Sequence, residues 1–256
     1  MCPAEVSFWG GCRSHLHLLV PATGLTVSMV EMRSVLVGGQ PFGYRVAGEP
    51  RGGVPAVLLH ATGETSQSWD GFMSRWSEVG LAYGLDLRGH GRSVWSGPYG
   101  LEVFAADVLG FMDEVGLAEV DLVGHSLGGL VACLVAADAP GRVRRLVLED
   151  VGVPHPREVV VVERPAGRLD FDWDLVGPVR AQIDDPDPQW PVRVGQIRAD
   201  TLVVAGGPSS PVPQEHVAEM AARIPRGRLL TVGGGHMVHD ARPDEFADAV
   251  MEHLGR

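Results

Sequence analysis

Hydrophobic positions first follow a two-residue period. Ser34–Val37 and Phe42–Val46 alternate on either side of Gly38-Gly39-Gln40-Pro41, which predicts a β-hairpin and an antiparallel start. The pattern then changes. Short, nearly continuous apolar runs at Ala56–Leu59, Leu81–Leu85, Val120–Val123, Leu146–Leu148, Thr201–Ala205 and Arg228–Val232 read as strands buried on both faces. Between them lie helix-length amphipathic segments, Ser66–Val79, Leu101–Val115, Leu127–Ala139, Gln214–Ile224 and Pro243–Leu254. Strands alternating with helices predict an α/β fold, a mostly parallel sheet with helices on both faces. In such sheets the chemistry gathers beyond the C-terminal ends of the strands.

One interval breaks the rhythm. Residues 153–197 are rich in Pro and Asp, carry Trp173 and Trp190, and separate two strands by more than an ordinary connection. Tryptophans need a surface to pack on, so a short lid over the strand ends is expected. The periodic pattern begins near Met32, so residues 1–31 are expected to be a poorly ordered extension and 32–256 one domain. The apolar patch Leu16–Val20 is cut short by Pro21 and Gly24 and preceded only by Arg13, which argues against a secretory signal.

Charge narrows the partners. With 32 acidic against 21 basic side chains the formal net charge is −11, which disfavours nucleic acid and anionic membrane surfaces. No stretch is long enough to span a bilayer. Three cysteines, Cys2, Cys12 and Cys133, give neither a disulfide framework nor a zinc spacing, and a reducing cytoplasm is expected. No metal cluster and no phosphate-binding loop appears, so no cofactor is expected. The sequence does not set the oligomeric state.

The chemistry centres on Gly124-His125-Ser126-Leu127-Gly128, a Gly-x-Ser-x-Gly run between an apolar strand and a helix. A serine on such a tight turn is pushed outward, and the flanking glycines leave room for the bend. Its hydroxyl is a weak nucleophile near neutral pH and needs a base. His236, after Gly233-Gly234-Gly235 and the last strand, is the candidate, with His239 as competitor. The oxyanion donors are expected to be the backbone N–H groups of Leu127 and of Thr62, in the loop after the strand ending Leu58-Leu59-His60. His60 and Ala61, with Trp173 and Trp190, are assigned to substrate binding.

Taken together, His60-Ala-Thr-Gly63 with Ser68-Trp69-Asp70, Asp86-Leu-Arg-Gly-His-Gly-Arg-Ser93, Gly124-His-Ser-Leu-Gly128 and Gly235-His236 make the chain resemble the α/β-hydrolase fold superfamily, over nearly all of Ser34 to Leu254. The resemblance implies that the segment from Asp86 is a structural turn, so that Arg88 and His90 are not catalytic. It also exposes two departures. Ala61 stands where a Gly is usual, and Gly206-Gly207-Pro208-Ser209-Ser210 stands where most members read Gly-x-x-Ser-Asp, so Ser210 replaces the usual acid. A second family arrangement takes the acid from the preceding strand, which ends in Glu149-Asp150. These two point oppositely if the strand alternation continues. Asp150, further beyond the strand end, is chosen, with Glu149 as the alternative.

The expected activity is that of a cofactor-independent serine hydrolase of the carboxylic ester class. It acts on an ester, lactone or thioester of a small molecule through an acyl-enzyme. The same triad serves lyase, carbon–carbon bond hydrolysis and perhydrolase chemistry within the superfamily, and these stay as alternatives. A non-enzymatic small-molecule receptor is a further alternative, supported only by Ser210. Epoxide-opening and halide-displacing relatives place Asp where Ser126 stands.

Overall fold

The continuous apolar runs form six strands of an eight-stranded sheet in a computed structural model that describes residues 30–159 and 162–256. Five lie in its middle, and the last, read as buried on both faces at Arg228–Val232, is an exposed edge strand with a neighbour on one side only. Residues 1–29 of the expected N-terminal extension, with Cys2 and Cys12, lie outside the described residues. In chain order the strands are β1 (Glu31–Val37), β2 (Gln40–Ala47), β3 (Ala56–Leu59), β4 (Ala82–Leu85), β5 (Val120–His125), β6 (Val143–Glu149), β7 (Asp200–Ala205) and β8 (Gly227–Thr231). Their spatial order is β1-β2-β4-β3-β5-β6-β7-β8. The β1–β2 and β2–β4 pairs are antiparallel and all later pairs are parallel.

The hairpin is tighter than its sequence suggests. Gly38 and Gly39 alone make the turn, at φ 56° and 80°, and Gln40 and Pro41 already belong to β2. Two consecutive positive φ values suit the twist of a two-residue hairpin and favour glycine. β6 starts earlier than its apolar run because Arg144 and Arg145 are strand residues. Arg144 closes a bidentate pair on Asp121 of β5, at 2.8 Å for Nε and 2.5 Å for Nη2.

Helices cover both faces. On one face α1 (Asp70–Trp76), the turn before it and α8 (Pro243–His253) bury Trp69, Phe72, Trp76 and Phe246 against the sheet. On the other, α2 (Leu101–Glu114), α3 (Leu127–Asp138) and α6 (Gln214–Arg223) contribute Phe104, Phe111, Leu134 and Met220. α3 is buried on almost every residue from Leu127 to Ala136, which explains a sequence apolar all round. The helix expected over Ser66–Val79 is instead a 3-10 turn at Ser66–Trp69 followed by α1. It stops at Trp76, whose carbonyl accepts the N–H of both Val79 and Gly80 as the chain reverses.

Within the long interval between β6 and β7 the chain forms two helices that the sequence pattern did not reveal, α4 (Val176–Asp184) and α5 (Trp190–Gly195). The remaining short helix is α7 (Val238–Ala241). Among the described residues no helix is long and apolar enough to cross a membrane.

Register sets the working edge. Leu59 of β3 stands beside Gly124 of β5, His125 beside Glu149 of β6, and Glu149 beside Val204 of β7. The residues that follow, His60 to Thr62, Ser126, Asp150 and Gly206, therefore emerge at one edge of the sheet.

Candidate active site

β5 delivers Ser126 into a turn with φ 51° and ψ −114°, a backbone region costly for a residue with a Cβ. The surroundings hold it there. Its N–H donates to the Glu149 carbonyl at 3.2 Å, and its own carbonyl accepts the N–H of Gly129 and Leu130, each at 3.0 Å. The flanking glycines are required by contact. A Cβ on Gly124 would stand 2.4 Å from the Gly128 carbonyl oxygen, and one on Gly128 would stand 2.3 Å from that of Leu59.

His236 comes from the loop after β8 and meets Ser126 from the side. Its Nε2 lies 3.0 Å from Ser126 Oγ and its Nδ1 lies 2.7 Å from Asp150 Oδ2. An ionised carboxylate only accepts, so Nδ1 carries the ring proton and Nε2 is free to accept the serine proton. Asp150 follows β6 at φ 49°, a second strained non-glycine position, and is anchored by its N–H to the Val204 carbonyl at 2.8 Å.

The carboxylate of Asp150 is fully enclosed by donors. Oδ1 accepts from the Gly206 N–H at 3.0 Å and from Gln214 Nε2 at 3.3 Å, while Oδ2 accepts from His236 and from the Ser210 hydroxyl at 2.5 Å. Burial alone would raise its pKa. The donors, His236 first and then Ser210, outweigh burial and hold the carboxyl below the ordinary aspartate value. Ser210, which stands in the sequence where most members carry the acid, thus donates to the carboxylate of Asp150.

Glu149, the alternative acid, turns the other way. Its carboxylate accepts from the His239 backbone N–H at 2.9 Å and lies 2.8 Å from His239 Nδ1. Neighbouring carboxylates at the end of β6 therefore grip His236 and His239, two histidines of one segment. His239, the sequence competitor of His236, is buried and stacked on Trp69 with ring centroids 4.4 Å apart. His125 completes the grip, its Nε2 donating to the His236 carbonyl at 2.7 Å. Burial opposes charge on this imidazole, but Glu149 and Glu64 outweigh it and raise its pKa. His125, Glu149 and His239 offer ligand atoms within 4.8 Å of one another, a grouping the sequence spacing did not show. Glu149 already accepts twice from His239, so the arrangement is accounted for as a clamp.

Ser126, Leu127, Thr62, Asp150 and His236 line a cavity of about 620 Å³. The backbone N–H groups of Thr62 and Leu127 have no acceptor among the described residues. The other expected binding residues divide. Trp173 lines the cavity, whereas Trp190 is buried in the core beside α3 and is not among the lining residues. His60 and Ala61 do not line it either. His60 is fully buried, with Nδ1 donating to the Ala61 carbonyl at 2.8 Å and Nε2 accepting from the Leu87 N–H at 3.0 Å. Burial pushes its imidazole down to about 4, so it stays neutral. His90 is likewise buried, lowered to about 3 chiefly by burial, and its Nε2 accepts the Gly63 N–H at 3.2 Å. Arg88 pairs with Asp107 through two hydrogen bonds, at 2.7 and 2.6 Å. His60 and His90 thus support the Thr62 loop, and Arg88 ties its own segment to α2.

Sequence reasoning did not assign Gln214, the supporting role of Ser210, or the clamp by Glu149 and His239. Ser210 carried a signal: a hydroxyl in place of the usual Asp is a donor for a displaced carboxylate.

A family model for the alpha/beta hydrolase fold matches residues 55–190, just over half of the chain. The chain is 28% identical to mouse sn-1-specific diacylglycerol lipase ABHD11 over 215 residues, covering 66% of this chain and 70% of that protein. It is 27% identical to the lipase LipV of Mycobacterium tuberculosis over 249 residues, covering 80% of this chain and 95% of that protein. Among solved structures, a hydrolase from Pseudomonas aeruginosa superposes with a TM-score of 0.75 at 24% identity, covering 89% of this chain and 98% of that one.

Proposed function

The chain belongs to the α/β-hydrolase fold family, and on that premise we propose that it is a cofactor-independent serine hydrolase acting on a small-molecule ester, lactone or thioester. The observation that carries the proposal is the continuous chain of contacts from Ser126 Oγ through His236 to Asp150, 3.0 and 2.7 Å long, at the wall of a cavity. His236 Nε2 accepts the Ser126 proton as Oγ attacks the acyl carbonyl. The developing oxyanion faces the unpaired N–H groups of Thr62 and Leu127, each donor contributing on the order of 3 kcal/mol to such a step. Asp150 fixes the imidazole tautomer and stabilises the imidazolium. His236 then returns the proton to the leaving group, and water, activated by the same base, releases the acyl group from Ser126.

Residues 153–197 act as the lid in this proposal, supported by the cavity walls that Trp173, Val176 and Val179 supply. We assign the enzyme to a reducing cytoplasm, consistent with the free, buried Cys133. The receptor alternative rests on Ser210, and the bond from Ser210 to Asp150 supports the triad reading of that departure instead.

Steady-state hydrolysis of para-nitrophenyl esters by wild type and Ser126→Ala tests the proposal. The expected result is turnover by wild type and a loss of about a thousandfold or more in the variant, with an unchanged unfolding midpoint. Equal rates in the two proteins overturn the nucleophile assignment. Product analysis on the same samples distinguishes hydrolysis from lyase, carbon–carbon and perhydrolase chemistry.

A further inference from the structure

The cavity wall is charged in an unexpected sense. The chain as a whole carries a net charge of −11, yet the charged groups facing the cavity beyond the triad are Arg157 and Arg180, accompanied by His155 and His216. Among the described residues Asp150 is the only carboxylate lining it, and four donors already saturate Asp150. The carboxylates paired with these groups do not line it. Asp184, fully buried, accepts Arg157 Nε at 2.6 Å, and Glu219 accepts His155 Nε2 at 2.6 Å and Arg223 Nε at 2.6 Å.

The two arginines are incompletely used. Arg180 Nη2 lies 3.3 Å from Asp184 Oδ2 without forming a hydrogen bond, and its buried Nε has no acceptor among the described residues. Arg157 commits Nε and its backbone N–H to Asp184, leaving both terminal nitrogens of its fork without an assigned acceptor among the described residues. Two guanidiniums against the single carboxylate of Asp184 leave one positive charge uncompensated. A planar fork with spare donors matches an anionic oxygen pair. The rest of the lining is largely apolar, with Leu130, Val153, Val176, Val179, Ile183 and Val212 in the wall that Ser126 and the two arginines share.

We propose that the cavity takes an acyl group with an apolar chain and an anionic far end, such as a dicarboxylic acid monoester, its carboxylate held by Arg157 and Arg180 while the carbonyl meets Ser126. The substrate class rests on the serine-hydrolase proposal, but the anion site can be measured without turnover.

The test uses full-length Ser126→Ala protein and calorimetric binding of mono-methyl adipate against methyl hexanoate. The same titrations follow in Arg157→Gln and Arg180→Gln backgrounds and in Arg75→Gln, a surface charge control on α1. The carboxylate ligand is expected to bind about tenfold or more tighter than its neutral partner. That ratio should fall toward one in either cavity variant, persist in the control and shrink with added salt. Equal or weaker binding of the carboxylate ligand, or a ratio unmoved by either arginine change, overturns the proposal. Should both variants fail to fold, the ligand ratio and its salt dependence in the Ser126→Ala protein decide alone. Wild-type kinetics with the matching para-nitrophenyl esters separate the two proposals. Carboxylate binding without hydrolysis refutes the serine-hydrolase reading and leaves the anion site standing. Efficient hydrolysis with no carboxylate preference refutes the anion site alone.

Discussion

Replacing Asp150 by Asn removes one charge and keeps the shape, which makes it the most informative perturbation of the triad. Asp150 accepts four hydrogen bonds, two at Oδ1 and two at Oδ2. An amide has one acceptor atom and one donor atom. The Gly206 N–H cannot turn away, so the amide oxygen takes the Oδ1 position and its NH2 group faces His236 Nδ1 and Ser210. His236 must then carry its proton on Nε2, pointing at Ser126, and cannot act as base. The opposite flip restores an acceptor to His236 but sets NH2 against the Gly206 N–H and the Gln214 amide. Either way the imidazolium loses its counter-charge. The expected fall in kcat is about a hundredfold to ten-thousandfold, roughly 3 to 5 kcal/mol of transition-state stabilisation, with little change in KM. Initial rates on one activated ester measure it. A Ser210→Asp change added to Asp150→Asn should recover part of the loss, because Ser210 Oγ already lies 2.5 Å from Asp150 Oδ2. A kcat for Asp150→Asn within about threefold of wild type would refute the triad reasoning.

Three further outcomes follow from the same geometry. Ser210→Ala removes a charge-assisted donor from Asp150 and should destabilise the protein by about 1.5 to 3 kcal/mol near neutral pH. Because the folded carboxyl sits below its ordinary 3.8, this stabilisation is present above that value and lost as pH falls through the folded one. Urea unfolding at pH 7 and at progressively lower pH should therefore show the wild-type advantage shrinking on acidification, and a constant difference would count against the assignment. Glu149→Gln weakens the grip on His239 and should lower stability by about 2 kcal/mol. It should also reduce kcat through the displaced His236, though by less than Asp150→Asn does. A variant with unaltered kcat and midpoint would show that the clamp does not position the base. Trp173→Ala should change the preference between short and long acyl chains at near-constant stability. Trp190→Ala should instead cost about 3 to 5 kcal/mol of stability as a core truncation. A reversed pair of results would exchange their places.

The sheet was legible because parallel strands buried on both faces write themselves as unbroken apolar runs. β3 matches its run residue for residue, Ala56–Leu59. Strand ends were less legible where an arginine sits in the strand, as in β6, since Arg144 is paired only by the arrival of Asp121 from a neighbouring strand. The insertion helices α4 and α5 escaped notice because they are short and carry Pro178 and Pro191 in their first turns, so neither develops a full apolar period. Ser126 and His236 could be named from their local context, a Gly-x-Ser-x-Gly turn and a glycine-rich loop after a strand. Asp150 was reachable only through the departure at Ser210. The opposed directions of Glu149 and Asp150 follow from strand alternation, but what each one meets does not. His239 meets Glu149, and Trp190 turns into the core, through contacts between segments distant in the chain.

The most direct test of the account is the site of covalent labelling by a fluorophosphonate, read by intact mass and peptide mapping. The account predicts a single adduct on Ser126 of the wild-type protein, greatly slowed in Asp150→Asn and His236→Ala, and absent from Ser126→Ala. An unlabelled wild-type protein, or an adduct that persists in Ser126→Ala, would contradict it.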